Sequence, residues 1–231
     1  MARALVFDVI ETLLDLRPLR QPFVRAFGDP PPVGEWFARL LHGSLVATLT
    51  DSYEDFGTIG GRALDALAWR RGEDLSEDHR EAILETLRRL PPHPEAFGAI
   101  SRLRAAGFPM ATLTNSSGEA ARMQLDQAGL AGLFDHILSV EEVRRYKPAP
   151  EPYLMAANRL GARASEMRMV AAHDWDVWGA MRAGCAAAFV ARGGAPFSLG
   201  QPPDITGPDL TAVAEAILNA DDPHARDGSP R

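Results

Sequence analysis

Five short apolar runs, separated by stretches of helical periodicity, limit how this chain can fold. Residues 3–8 (R-A-L-V-F-D), 108–114 (F-P-M-A-T-L-T), 136–139 (H-I-L-S), 167–172 (M-R-M-V-A-A) and 186–191 (A-A-A-F-V-A) are strand-like. A strand covered on one face alternates polar with apolar residues, whereas one covered on both faces reads as a continuous apolar run. Between these runs, helical patterns occupy 94–106, 119–128, 150–160 and 176–183. Strands joined through helices lie parallel, because the crossover carries the chain back to its starting edge. The pattern predicts an α/β fold on a doubly wound parallel sheet.

The stretch 16–90 breaks the alternation. It holds helix-like segments at 34–50, 53–71 and 76–90, with Ser76 placed to cap the last and Glu77 and Asp78 in its first turn. It closes at Pro91-Pro92-His93-Pro94, a stiff segment that cannot continue a helix. The expected organisation is a Rossmann-like catalytic core of 1–15 and 91–219, an inserted helical cap domain of 16–90, and a disordered polar tail of 220–231. With 231 residues, 46% of them hydrophobic, the chain can bury such a core. Its 24 Lys and Arg against 31 Asp and Glu, scattered rather than blocked, speak against a nucleic-acid partner. No apolar stretch reaches membrane-spanning length, so no membrane partner is expected. The single Cys185 cannot form an internal disulfide and reads as a small core residue. With no secretory signal at the start, a cytoplasmic protein is expected.

In an open parallel sheet, ligands collect beyond the carboxyl ends of the strands. Four polar clusters fall there: Asp8-Val9-Ile10-Glu11-Thr12; Thr114-Asn115-Ser116-Ser117; Lys147-Pro148-Ala149-Pro150 with Tyr153 behind it; and His173-Asp174-Trp175-Asp176. Each alone is weak, since an acid after a strand is more often a helix cap. Their order and spacing together make the signal. His42, His79, His93, His136 and His224 have no metal-like spacing and read as structural or exposed.

This set resembles the haloacid dehalogenase superfamily: a nucleophilic Asp at a strand end, then Thr or Ser, then Lys, then an acidic fourth motif. The 16–90 insertion occupies the place of that superfamily's helical cap. Phe7-Asp8 with Thr12, Leu113-Thr114-Asn115-Ser116, Tyr146-Lys147-Pro148 with Tyr153, and Trp175-Asp176 with Gly179-Ala180 are similar to the type II (L-2-)haloacid dehalogenases. Phe56 matches that family's aromatic pocket position. Phosphatases of the superfamily need Mg²⁺ and a second Asp two residues after the nucleophile. Here that position is Ile10, and the acid that completes the metal site would fall at Ala172, so no metal or other cofactor is expected.

The resemblance implies that Asp8 attacks the halogen-bearing carbon of a small-molecule L-2-haloacid, that halide leaves, and that water hydrolyses the ester to a D-2-hydroxyacid. Lys147 would hold Asp8 ionised, although a solvated surface lysine is the competing reading. Asp176 would orient Lys147, or cap the helix that starts there. Thr12, Thr114 and Asn115 would position the substrate carboxylate, and Tyr153 would hydrogen-bond at the same site or serve packing. A phosphatase on the same scaffold, or a non-catalytic ligand-binding protein, are the alternatives. Relatives suggest a homodimer.

Departures from the family pattern matter as much. The residue three after the nucleophile, usually Gly, is Glu11, and the fourth-motif Asn is His173. If strand order follows the resemblance, the two loops are neighbours, and Glu11 with His173 forms a water-activating pair; otherwise they are a helix-start acid and a loop histidine. The cap Arg thought to help halide leave aligns near Phe37, and Arg39 lies about 200° round the helix from it. Halide would then be held by Asn115, by an indole N–H of Trp36 or Trp175, or by Arg39 after a register shift. Ile10 stands where Tyr is common, which alters the pocket.

Overall fold

The computed structural model describes residues 3–221. Six strands, β1 (Ala4–Phe7), β2 (Met110–Thr114), β3 (His136–Ser139), β4 (Met167–Ala171), β5 (Ala186–Val190) and β6 (Ile205–Gly207), form one sheet in the order β3-β2-β1-β4-β5-β6. Every pairing is parallel. The apolar runs thus become strands covered on both faces. Leu5 and Phe7 of β1 belong to one buried cluster and Val6 to another.

The second cluster is closed by α7 (Pro150–Arg159) and α8 (Asp174–Arg182), through Tyr153, Ala156, Val177 and Ala180. The first is closed by α5 (Ala96–Ala105) and α9 (Leu210–Ala220), through Ile100, Leu103, Val213 and Ile217. Helix α6 (Gly118–Gln127) follows β2 and is capped by Ser117. The sheet is doubly wound, as the alternation of the sequence requires.

Four helices precede α5 in the interval between β1 and β2 and make up the insertion: α1 (Arg20–Phe27), α2 (Val33–Leu49), α3 (Phe56–Arg71) and α4 (Glu77–Arg88). Ser76 caps α4 as expected. Helix α3 starts later than its periodicity suggests, because the Asp55 carboxylate accepts the Thr58 N–H and sets the first turn there. Helix α1 escaped the sequence reading. It is short, and Pro18 and Pro22 disguise it, although proline is tolerated near a helix start. Trp36, Leu40, Ile59 and Leu64 of the insertion share one buried cluster with Phe7 and Ile100. The chain enters and leaves the insertion side by side, with Asp15 N–H donating to Pro91 O at 2.8 Å and His93 N–H to Leu13 O at 2.9 Å.

At the other end, β6 and α9 were not read from the sequence, and residues 220 and 221, assigned to the expected tail, belong to the fold. Ala220 completes α9, and Asp221 is buried with its carboxylate on Arg168 and Arg3. Residues 222–231, including His224, lie outside the described residues. Among the described residues, no helix is long and apolar enough to cross a membrane.

Candidate active site

β1 ends at Phe7, so the next residue, Asp8, stands at the carboxyl edge of the central strand and is 5% exposed. Both carboxylate oxygens are engaged. Oδ1 accepts from Lys147 Nζ at 2.8 Å; Oδ2 accepts from Thr12 Oγ1 at 2.7 Å and faces His173 Nδ1 at 3.3 Å. Burial alone would push the Asp8 carboxyl up. The Lys147 ammonium and the His173 imidazole outweigh it and hold Asp8 far below the usual carboxylate range, as an anion.

Lys147 is fully buried and not a surface lysine. Its three protons go to Asp8, to Asp176 Oδ2 at 2.6 Å and to Leu113 O at 2.9 Å. Burial lowers the affinity of this amine for its proton, but the two carboxylates reverse that and raise it. Asp176 does not cap the helix it lies on, because α8 begins two residues earlier at Asp174. Instead its Oδ1 accepts from Tyr153 Oη at 2.7 Å, and burial raises its carboxyl against the pull of Lys147. Tyr153 packs so close to α8 that a Cβ on Gly179 would lie 2.8 Å from its hydroxyl.

The His173 imidazole bridges two loops, with Nδ1 toward Asp8 and Nε2 2.7 Å from Glu11 Oε2. Strand order makes this possible, since β1 and β4 are neighbours. Phe37 and Trp175 stack on the ring, with centroids at 5.7 and 5.1 Å. Burial opposes protonation of His173, but hydrogen bonds and charge from Asp8 and Glu11 prevail and push it up to about 10. Two carboxylates facing the two ring nitrogens favour the imidazolium form.

The remaining expected residues divide. Thr12 gives its proton to Asp8 and accepts Ala172 N–H at 2.8 Å, so its hydroxyl does not serve a substrate carboxylate. Thr114 Oγ1 accepts Ser116 N–H at 3.2 Å and shapes the loop. Asn115 Oδ1 accepts Lys147 N–H at 3.1 Å, which fixes the amide; its Nδ2 is buried and has no partner among the described residues. Ile10 is a core residue, and Phe56 lies against Tyr146, the neighbour of Lys147. Arg39 is not brought in by any register shift: it pairs with Glu35 on its own helix at 2.9 Å. The Trp36 indole N–H is also spent, on Gly60 O at 3.0 Å.

Two residues that sequence reasoning passed over sit behind the site. Arg192 donates Nε to Glu11 O at 2.8 Å, Nη2 to Thr12 O at 2.6 Å and Nη1 to Glu95 Oε1 at 2.9 Å. His93, read as structural or exposed, places Nε2 3.1 Å from the same Glu11 carbonyl. Arg192 lies two residues beyond β5, where ligands and loops meet in such sheets, and that position was the available signal.

Comparison with known proteins places these features in company. The haloacid dehalogenase-like hydrolase family matches residues 2–184. The chain is 34% identical over 180 residues to (S)-2-haloacid dehalogenase 1 of Pseudomonas sp. (strain CBS-3), covering 77% of this chain and 79% of the relative. It is 30% identical over 220 residues to haloacetate dehalogenase H-2 of Moraxella sp. (strain B), covering 93% and 97%. Among solved structures, the L-2-haloacid dehalogenase of Xanthobacter autotrophicus superposes with a TM-score of 0.83 at 25% identity, over 94% of this chain and 98% of the other.

Proposed function

This chain belongs to the haloacid dehalogenase-like hydrolases, and we propose that it hydrolyses L-2-haloacids to D-2-hydroxyacids through an ester on Asp8, without a metal. The observation that carries the reading is the Asp8 carboxylate, buried and held ionised by Lys147 while backed by Thr12 and His173. A carboxylate so placed is a nucleophile for carbon; attack opposite the halide inverts the centre. A cation would have to displace Lys147 from one Asp8 oxygen and Thr12 from the other. Ile10 and Ala172, where phosphatases of the superfamily need acids, supply no ligands. The helical insertion acts as the cap, contributing Phe37 over the site. Asn115 Nδ2, the buried donor without a partner, is the group offered to the halide in place of Arg39.

The charge on His173 gives the two half-reactions an order. In the resting enzyme the imidazolium cannot accept a proton. Alkylation converts the Asp8 anion to a neutral ester, which removes one of the two charges holding that proton. The Nδ1 proton is then released, together with the halide. The neutral Nδ1 faces the ester, while Nε2–H remains on Glu11, and it takes a proton from the water that attacks the Asp8 carbonyl carbon. Hydrolysis returns the Asp8 carboxylate, the imidazolium and the alcohol. One halide and one proton leave per turnover, both in the first half.

A single turnover of 2-chloropropionate with enzyme in excess, in ¹⁸O water with EDTA, tests the reading. Label should enter the Asp8 carboxylate and not the first-formed product. Label in that product, or a requirement for added Mg²⁺, sinks it.

A further inference from the structure

Glu11 has a backbone φ of 63°, in the left-handed region that glycine adopts freely and a glutamate reluctantly. This is also the conformation from which its carboxylate meets His173 Nε2 at 2.7 Å. Something must hold it: Thr12 Oγ1 on Asp8 and the Leu13 and Leu14 N–H groups on Val9 O close the loop, but none of these bonds involves Glu11. Arg192 supplies the hold from the far side: one guanidinium grips the consecutive carbonyls of Glu11 and Thr12. Its third arm is fixed by Glu95, and Ala191 N–H anchors its own loop on Gly207 O at 2.8 Å. His93 takes the other lone pair of the Glu11 carbonyl, so both acceptor sites there are filled.

We propose that Arg192 is a positioning residue for ester hydrolysis: by gripping the Glu11 and Thr12 carbonyls it fixes Glu11 in its left-handed conformation and thereby aims the carboxylate that orients His173. The inference rests on the reading of Glu11 and His173 given above. A planar guanidinium suits the task because it binds two carbonyls and a carboxylate in one fixed geometry, which a lysine cannot reproduce. Arg192 touches neither Asp8 nor His173 and acts only through Glu11 and Thr12.

The test is a double-mutant cycle on the decay of alkylated Asp8, followed by rapid-quench mass spectrometry. In the wild-type background, Arg192→Ala should slow adduct decay about 10²-fold, the usual cost of a group misplaced by about 1 Å, with a much smaller effect on adduct formation. In a Glu11→Gly background there is no carboxylate to aim and no reluctant φ to hold. There the same substitution should change decay by no more than about twofold, as for uncoupled sites. Equal slowing in both backgrounds overturns the proposal and makes Arg192 plain scaffold. If Arg192→Ala fails to fold, Arg192→Lys carries the test: it keeps the cation beside Glu95 but cannot fork across two carbonyls. In that variant the low-field His173 Nε2 proton resonance should move upfield, and an unmoved resonance also overturns the proposal. A wild-type rate of adduct decay in Glu11→Gln has a different meaning, because it removes the role of Glu11 itself and the inference with it.

Discussion

Strand β4 carries a buried cation cluster near each end. Near its start, the fully buried Arg168 donates to Asp204 through two arms at 2.7 and 2.9 Å, to Asp221 at 2.6 Å and to Ala187 O at 2.8 Å. Beyond its other end, His173 joins Asp8, Glu11, Lys147 and Asp176. Both clusters bury ionised groups, so burial of charge does not distinguish them. At Arg168 a cation that stays charged across the working pH range meets carboxylates in a fork that fits, and Asp204 is held below its ordinary value. At Asp8 the cations include a titratable imidazole, a nearby amide donor is left over on Asn115, and Glu11 sits in a reluctant backbone conformation. The first arrangement has no alternative state to reach, whereas in the proposed reaction the second changes charge when Asp8 is alkylated.

Substitutions at the two ends should therefore fail in different ways. Asp8→Asn should lose at least about 10⁴-fold in turnover, since it removes the nucleophile itself. Activity within tenfold of the wild type would mean that Asp8 is not the attacking group. His173→Ala should form the ester and then stall, with hydrolysis slowed about 10²–10⁴-fold and an adduct of substrate less halide visible by mass spectrometry. Failure before any adduct forms would move the role of base to another group.

At the opposite end, Arg168→Met should destabilise by about 3–5 kcal/mol, because Asp221 is left buried with only the partly exposed Arg3 to face it. The fraction that remains folded should retain the wild-type turnover number, and a loss of turnover per folded molecule would erase the contrast. The last effect is on the pH dependence of stability. His173 is raised in the fold to about 10 from an ordinary 6.5, so its contribution is complete below about pH 6.5 and is lost as pH rises through about 10. Thermal melts should show the wild type weakening across that window, His173→Gln weakening less, and Arg168→Met weakening as the wild type does. Equal slopes for the wild type and His173→Gln would show that the resting imidazole is neutral.

The sequence by itself determined five of the six strands of the sheet, their parallel arrangement and the row of polar residues beyond their ends. These follow from short-range rules: a strand buried on both faces must be apolar throughout, and polar atoms return where the strand stops. Those rules brought out Asp8, Thr12, Lys147 and Asp176 as polar residues in that row; the family resemblance supplied their roles and the neighbouring of β1 and β4 on which the meeting of Glu11 with His173 depended. What the tertiary structure alone decided is how each side chain spends its donors and acceptors. Thr12 was free in sequence and turns out to be committed to Asp8 and Ala172. Arg39, placed off the site's face by its helical position, is held by Glu35, while Phe37 supplies a stacking face on the imidazole instead. Arg168 lay unremarked in an apolar run, and Asp221 in an expected tail, until the fold made them partners. Arg192 stands 181 positions from the Glu11 carbonyl it grips, and no local periodicity encodes a contact of that span. Hydropathy patterns record which face of an element is buried; the pairing of polar atoms depends on where packing sets distant loops within about 3 Å of one another.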